Sequence, residues 1–256
     1  MIKNENQEGN IKTFGLLGKQ ISYSFSSGYF SEKFKNLQLD NYRYVNFDID
    51  SIDAFDNLLK DNSKKICGMN VTIPYKQDVL NLLDELDDEA AEIGAVNTIK
   101  FLKEGKTKGF NTDAYGFENS LKPLIASQHT KALVLGTGGA SKAIAFVLKK
   151  LQIDFVFVSR TPKGPGQISY LDLSNSVMSQ YTIIINCTPL GTFPEVNLCP
   201  DIPYQCITSS HILYDLIYNP SMTFFLQKGK EKGATIKNGL EMLQLQAEQS
   251  WFIWNQ

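Results

Sequence analysis

The segment Lys131–Ser141 narrows the possible folds more than any other part of the chain. Lys131-Ala-Leu-Val-Leu-Gly136 is a short apolar run ending on glycine, and Thr137-Gly138-Gly139-Ala140-Ser141 follows as a turn of small residues. Lys142 to Leu151 then carries apolar residues at helical spacing, and Ile153-Asp-Phe-Val-Phe-Val-Ser159 reads as a second strand. Strand, glycine turn, helix and strand form a βαβ unit, which calls for a parallel sheet with helices on its faces. On its own a glycine turn is only a tight turn. Inside a βαβ frame it is expected to cradle a pyrophosphate. The first glycine turns the chain sharply, the second lets the backbone approach the phosphates, and the helix N-terminus offers oriented N–H groups. Ser141 stands where the usual pattern has its third glycine.

The same alternation runs through the rest of the chain. Upstream, strands are expected over 13–18, 42–47, 66–73 and 98–102, and helices over 25–37, 52–59 and 79–93. Gly105 reads as a hairpin turn, Asn111 to Gly116 as a junction, and Phe117 to Ile125 as a helix. Downstream, Tyr181–Asn186 and the run after His211 read as buried strands, Thr223–Lys232 as a helix and Ala234–Gly239 as a turn. Leu240–Trp254 reads as a last amphipathic helix, with Gln246 as an amide on its packing face. Two α/β units with mostly parallel sheets are expected.

Composition excludes several classes of function. With 256 residues, 43% hydrophobic and 20% charged, the chain can fill one large core or two ordinary ones. A net charge of −2 gives no electrostatic case for nucleic acid or an anionic membrane surface. No apolar run is long enough to span a bilayer. The polar stretch 1–10 lacks the apolar core of a secretory signal and reads as a flexible tail. The four cysteines show no Cys-x-x-Cys spacing, and Cys67 and Cys187 are expected as buried thiols, in keeping with a reducing cytoplasm. Two histidines, His129 and His211, leave little material for a histidine metal site or triad. No metal is expected.

Chemistry is concentrated in short polar segments attached to apolar ones. Ile66 to Ile73 reads as a strand that Pro74 ends, because proline cannot donate to a sheet ladder. Lys76 follows at the strand's end, a usual place for working side chains. Taken alone it reads as a solvated lysine after a turn, and the polar clusters downstream are what point to a working role. Gly94-Ala-Val-Asn97-Thr98 and Asn111-Thr-Asp113 are two further polar clusters. Ser24 and Ser26 precede a helix that they could cap, and Asp113 could close an Asx-turn.

Taken together, these residues resemble the shikimate dehydrogenase family over nearly the whole chain, from about Gly15 to Trp254. Gly18-Lys-Gln-Ile-Ser-Tyr-Ser24-Phe-Ser26 is similar to the family's substrate-carboxylate loop, and Asn70-Val-Thr72-Ile-Pro-Tyr-Lys76 to its catalytic-lysine segment. The clusters at Asn97 and Asp113 resemble its next two substrate segments, and Gly136–Ser141 its pyrophosphate loop. Asn186-Cys-Thr188, Tyr218-Asn-Pro220 and Asn238-Gly239-Leu-Glu-Met242 through Gln246 fall in family order as well. Departures include Tyr23 and Ser27 in the serine loop, Phe110 and Ala114 around Asp113, and Ser159 before Arg160.

The resemblance implies an N-terminal α/β substrate domain (11–112 with 237–256), a Rossmann-type dinucleotide-binding domain (113–236), and a cleft between them. It implies reversible NADPH-dependent reduction of 3-dehydroshikimate to shikimate in chorismate biosynthesis. Lys76 and Asp113 are the implied catalytic pair, and Ser24, Ser26, Thr72, Asn97 and Gln246 the substrate contacts. Gly136, Gly138, Gly139, Ala140, Ser141, Ser159, Arg160, Thr161, Thr188, Tyr218 and Gly239 are the implied contacts to NADP(H). The second strand ends Val158-Ser159-Arg160-Thr161, with no carboxylate for a ribose 2′-hydroxyl. A guanidinium there suits a 2′-phosphate. The competing readings are an NAD-dependent quinate/shikimate dehydrogenase and a non-catalytic sensor of the same ligands. A cytoplasmic monomer or homodimer is expected.

Overall fold

The computed structural model describes residues 11–21, 24–62 and 66–256, so the tail expected over 1–10 and the departure at Tyr23 lie outside the described residues. The chain divides into two compact units. One runs up to Asn111 and includes Ser250–Gln256. The other is Thr112–Gln249.

The first unit contains β1 (Lys12–Gly18), α1 (Phe25–Asn36), β2 (Tyr42–Asp48), α2 (Phe55–Asn62), β3 (Ile66–Val71), β4 (Glu85–Leu86), α3 (Asp88–Ile93), β5 (Thr98–Phe101) and β6 (Thr107–Phe110). The sheet order is β2-β1-β3-β5-β6-β4. The first three strands are parallel, but β5 runs against both β3 and β6. Because β6 and β4 again run with the first three strands, the sheet is mostly parallel as expected, and β5 alone is reversed. Only Leu102–Lys106 joins β5 to β6, far too few residues for a crossover, so a hairpin is the available connection.

Side chains on these strands alternate between two cores, as strand geometry demands. Leu17, Met69, Val71 and Ile99 face one core with Phe55 and Val79. Phe14 and Tyr44 face the other, where Phe30 of α1 meets Trp254 and Phe34 packs on Phe14 and Phe30, with ring centroids 4.8–5.9 Å apart. Gly68 makes room for the indole, since a Cβ there would come within 2.5 Å of the Trp254 ring. Trp254 Nε1 donates to the Ile99 carbonyl at 3.0 Å.

The helix expected over 79–93 is replaced by a short 3₁₀ turn, β4 and α3. Two aspartates account for the break. Asp84 accepts from the Thr107 amide at 2.7 Å and its hydroxyl at 2.9 Å, tying the chain to β6, and Asp87 caps α3 through the Glu89 amide. The third strand also stops at Val71 rather than Ile73, which is 76% exposed. Cys67 and Cys187, expected as buried thiols, are half-buried.

The second unit begins with α4 (Thr112–Leu121), five residues before the expected start, so the anticipated junction is itself the first turn of a helix. It continues with β7 (Lys131–Leu135), α5 (Gly139–Lys150), β8 (Asp154–Ser159), β9 (Gln167–Ser169), α6 (Asn175–Gln180), β10 (Ile183–Asn186), β11 (Ile212–Asp215), α7 (Phe224–Glu231), β12 (Thr235–Lys237) and α8 (Leu240–Asn255), whose last turns from Ser250 on belong to the first unit. β12 replaces the turn expected at 234–239: Thr235 and Ile236 are β-favouring and pair with β11. All strands are parallel, in the order β12-β11-β10-β7-β8-β9. This is the doubly wound order of dinucleotide-binding sheets, with its switch point between β7 and β10. Leu133, Leu135, Val158, Ile184 and Leu213 form the buried centre of the sheet. No helix among the described residues is long and apolar enough to cross a membrane.

Candidate active site

In the first unit, topology gathers the polar segments at one end of the sheet. β1, β2 and β3 are parallel, so Gly18, Asp48 and Val71 finish side by side. β5 is antiparallel to β3 and pairs Thr98 with Asn70, so Asn97 enters at that same end. Thr72, Lys76, Asn97 and the loop after β1 are therefore neighbours by construction. The Val71 amide donates to the Asn97 carbonyl at 2.8 Å, and the Val96 amide donates to the Lys76 carbonyl at 2.7 Å. Thr72 is fixed by its own amide to the Leu17 carbonyl at 2.9 Å. Tyr75 is buried and donates to the Ile49 carbonyl at 2.7 Å, which anchors the turn carrying the half-buried Lys76.

The two serines have different surroundings. Ser24 is the N-cap of α1: its Oγ accepts from the Ser27 amide at 3.2 Å and donates to Asn46 Oδ1 at 3.3 Å. Ser26 is buried and hydrogen-bonds the Tyr44 hydroxyl. Tyr44 donates to Asn70 Oδ1 at 2.8 Å, and Asn70 Nδ2 reaches Ser250 Oγ at 2.9 Å and Thr98 Oγ1 at 3.2 Å. Burial pushes the Tyr44 phenol far up, so it stays a donor. Asn97 is buried, and its Oδ1 accepts from Thr98 Oγ1 at 3.1 Å. Tyr44 and Ser250 had no sequence signal beyond helix and strand periodicity.

In the second unit, Asp113 sits half-buried in the first turn of α4. Its neighbour Thr112 donates to Gln246 Oε1 at 3.3 Å, and Gln246 Nε2 donates to the Leu243 carbonyl at 3.0 Å. Gly116 permits this approach of α4 to α8, since any Cβ there would overlap the Met242 carbonyl.

The glycine turn lies at the switch point of the second sheet. Gly136 has φ +97°, a left-handed conformation, and a Cβ on it would stand 3.1 Å from Thr188 Cγ2. Gly138 is the N-cap of α5, with open space where a Cβ would be. Gly139, Ala140 and Ser141 form the first turn of α5, three residues earlier than expected. Ser141 turns inward, its Oγ donating to the Gly138 carbonyl at 2.7 Å. A pocket of about 580 Å³ opens here, lined by Gly136, Gly138, Ser159, Arg160, Tyr170 and Thr188 among others. Open backbone at Gly138, a helix N-terminus and this volume fit a dinucleotide.

Arg160 and Thr161 are exposed, and the Thr161 amide donates to Ser159 Oγ at 3.3 Å. Tyr170 is raised by burial, with the nearby Arg160 charge opposing. It follows the three-residue β9, too short to read as a strand from sequence. Asp201 is the one carboxylate in the lining. Of the expected cofactor contacts, Gly139, Ala140, Ser141, Thr161, Tyr218 and Gly239 lie outside this lining. Gly239 donates to the Ile217 carbonyl at 3.0 Å and has no room for a Cβ against Leu216. No group of three or more His, Cys, Asp or Glu among the described residues is arranged to hold a metal.

Comparison with known proteins agrees with both halves. Residues 16–99 match the family described as shikimate dehydrogenase substrate binding domain. A curated shikimate dehydrogenase (NADP(+)) from Methanococcus vannielii is 36% identical, over 94% of this chain and 90% of that protein. The crystal structure of shikimate dehydrogenase from Aquifex aeolicus is similar with a TM-score of 0.84 at 32% identity, covering 96% of this chain and 93% of that one. The Thermus thermophilus enzyme in complex with NADP(H) and shikimate gives 0.83 at 31% identity, covering 95% and 93%.

Proposed function

The chain belongs to the shikimate dehydrogenase family, and on that premise we infer that it reversibly reduces 3-dehydroshikimate to shikimate with NADPH, within chorismate biosynthesis. The observation that carries the reading is the pocket at the switch point of an all-parallel sheet, with Arg160 rather than a carboxylate after β8. NADP(H), when bound, supplies the hydride. Gly136 and Gly138 would admit the pyrophosphate, and Arg160 with Ser159 and Thr161 would meet the 2′-phosphate.

The remaining assignments concern the substrate and its proton. Ser24 and Ser26 would turn their hydroxyl protons from Asn46 and Tyr44 to the ring carboxylate. Thr72, Asn97 and Gln246 would bond ring hydroxyls. Lys76 is assigned to give a proton to the carbonyl oxygen in reduction and to take it back in oxidation, its ammonium also stabilising the developing alkoxide. Asp113 would hold that amine and a ring hydroxyl. An NAD-dependent quinate enzyme is not favoured, since β8 ends without an acidic residue. Lys76 and Asp113, both present, speak against a non-catalytic sensor.

The test follows absorbance of reduced nicotinamide after shikimate is added with NADP or with NAD. Turnover with NADP is expected to predominate. Lys76→Ala should cut turnover by about 10²–10⁴-fold while NADPH binding persists. A variant keeping more than half of the wild-type rate would remove Lys76 from the mechanism.

A further inference from the structure

Asn186 on β10 and Asp215 on β11 stand side by side in register at the C-terminal end of the second sheet. Neither has any exposed surface. Asp215 accepts from Asn186 Nδ2 at 3.0 Å, from the Ile217 amide at 3.1 Å and from Thr223 Oγ1 at 2.6 Å. Burial pushes this carboxyl up to about 6, and its Oδ1, which takes the Ile217 N–H as well as Asn186, can only accept there. An amide facing an acceptor must present its NH₂ group, and that fixes the other end of Asn186. Its Oδ1 accepts from the Thr188 amide at 3.0 Å and from Thr188 Oγ1 at 2.7 Å. The Thr188 hydroxyl has one proton, and it goes to Asn186. The same oxygen accepts from the Leu190 amide at 3.3 Å. Thr188 lines the pocket, so what its hydroxyl can still offer there is a lone pair.

We propose that Asp215 is a positioning residue for the cofactor: through Asn186 it holds the Thr188 turn and makes the Thr188 hydroxyl a hydrogen-bond acceptor toward the bound dinucleotide. This rests on the reading that the pocket takes NADP(H). Asparagine at 215 has one acceptor oxygen where the carboxylate has two: its NH₂ must stand either against the Ile217 amide and Asn186 or against the Thr223 hydroxyl that donates at the other oxygen, so the pair of acceptors that holds Asn186 in place is lost.

The test is fluorescence titration of NADPH and NADH into the full-length wild type, Asp215→Asn, Thr188→Val, the double variant and Asn186→Ala. Asp215→Asn should weaken NADPH by about tenfold, the size of one net hydrogen bond, and weaken NADH in the same proportion, since the 2′-phosphate is not involved. The double variant should bind no worse than the weaker single variant, because both changes break one relay. Full additivity, or wild-type affinity in Asp215→Asn, would overturn the proposal. If Asp215→Asn does not fold, Asn186→Ala cuts the same link while leaving Asp215 its bonds to Ile217 and Thr223, and unchanged affinity there overturns it equally. A wild type that binds no NADPH would instead sink the functional reading on which the proposal stands.

Discussion

Asp215→Asn is also expected to change how the stability of the cofactor-free protein depends on pH, and the sign follows from burial. The carboxyl moves from its ordinary 3.8 to about 6 in the fold. Below the lower value both folded and unfolded chains are protonated at this site. Above the upper value both are ionised, and the folded state bears the whole cost of a buried charge. Between them the folded state holds a proton that the unfolded chain has released, so stability falls as pH rises. A shift of roughly two units at about 1.4 kcal/mol each gives about 3 kcal/mol. Asparagine has no such dependence. Glu118 works in the opposite sense. Burial would raise it, but Lys122 at 2.5 Å and Lys150 at 3.0 Å outweigh that and hold it low, so its contribution is lost on acidification. Glu118 is common to both proteins and cancels in their difference. Urea midpoints of wild type and variant, compared from about pH 4 to about pH 7, should diverge in the variant's favour by about 3 kcal/mol. Parallel profiles would refute the claim that burial perturbs this carboxyl.

Three other outcomes are expected. Ser24→Ala should lower stability by about 0.5–2 kcal/mol as a lost N-cap and also raise KM for shikimate. Lower stability with an unchanged KM would leave Ser24 a cap and nothing more. Arg160→Ala should weaken NADP(H) by about ten- to hundredfold, as one charge-assisted contact does, and spare NAD(H). Equal losses, or a wild type that prefers NAD, would overturn the cofactor assignment. Trp254→Ala should cost about 3–5 kcal/mol in urea unfolding, because its ring is packed among Phe14, Phe30 and Gly68. A loss below about 1 kcal/mol would show that this aromatic core repacks without it.

The second unit was the more legible in sequence, and the reason is local. Glycine turns and short runs of β-branched residues determine β7, α5, β8, β10 and β11 through nearest neighbours. β9 and β12 were missed because three residues carry no period. In the first unit the helix expected over 79–93 gives way to a 3₁₀ turn, β4 and α3. Long-range bonds from Asp84 to Thr107 decide that segment, and no local pattern reports them. The reversal of β5 is likewise set by a partner strand. Candidate site residues are legible where they sit in motifs beside strand ends, as Thr72 and Lys76 do after β3 and Asn97 does before β5. Tyr44, Tyr170 and Ser250 are not, because their partners are remote in sequence.

Both units follow one rule of construction. Side chains assigned to ligands rest on buried polar groups that hold them: Ser26 on Tyr44 and Asn70, Thr188 on Asn186 and Asp215. Among these supporting groups Asp215 is the one that the fold alone does not need. A well-packed apolar residue in place of a buried charge is often neutral or stabilising, and Asp215 costs the folded state about 3 kcal/mol at neutral pH by the linkage above. What the charge adds is direction. Leucine there would leave the Asn186 amide held only by the Thr188 turn itself, whereas the carboxylate holds it from the sheet as well. The cost in stability and the fixed polarity of Thr188 thus have a single source. A variant that is more stable without cofactor and weaker toward NADPH is the combination that a purely structural role for Asp215 cannot produce.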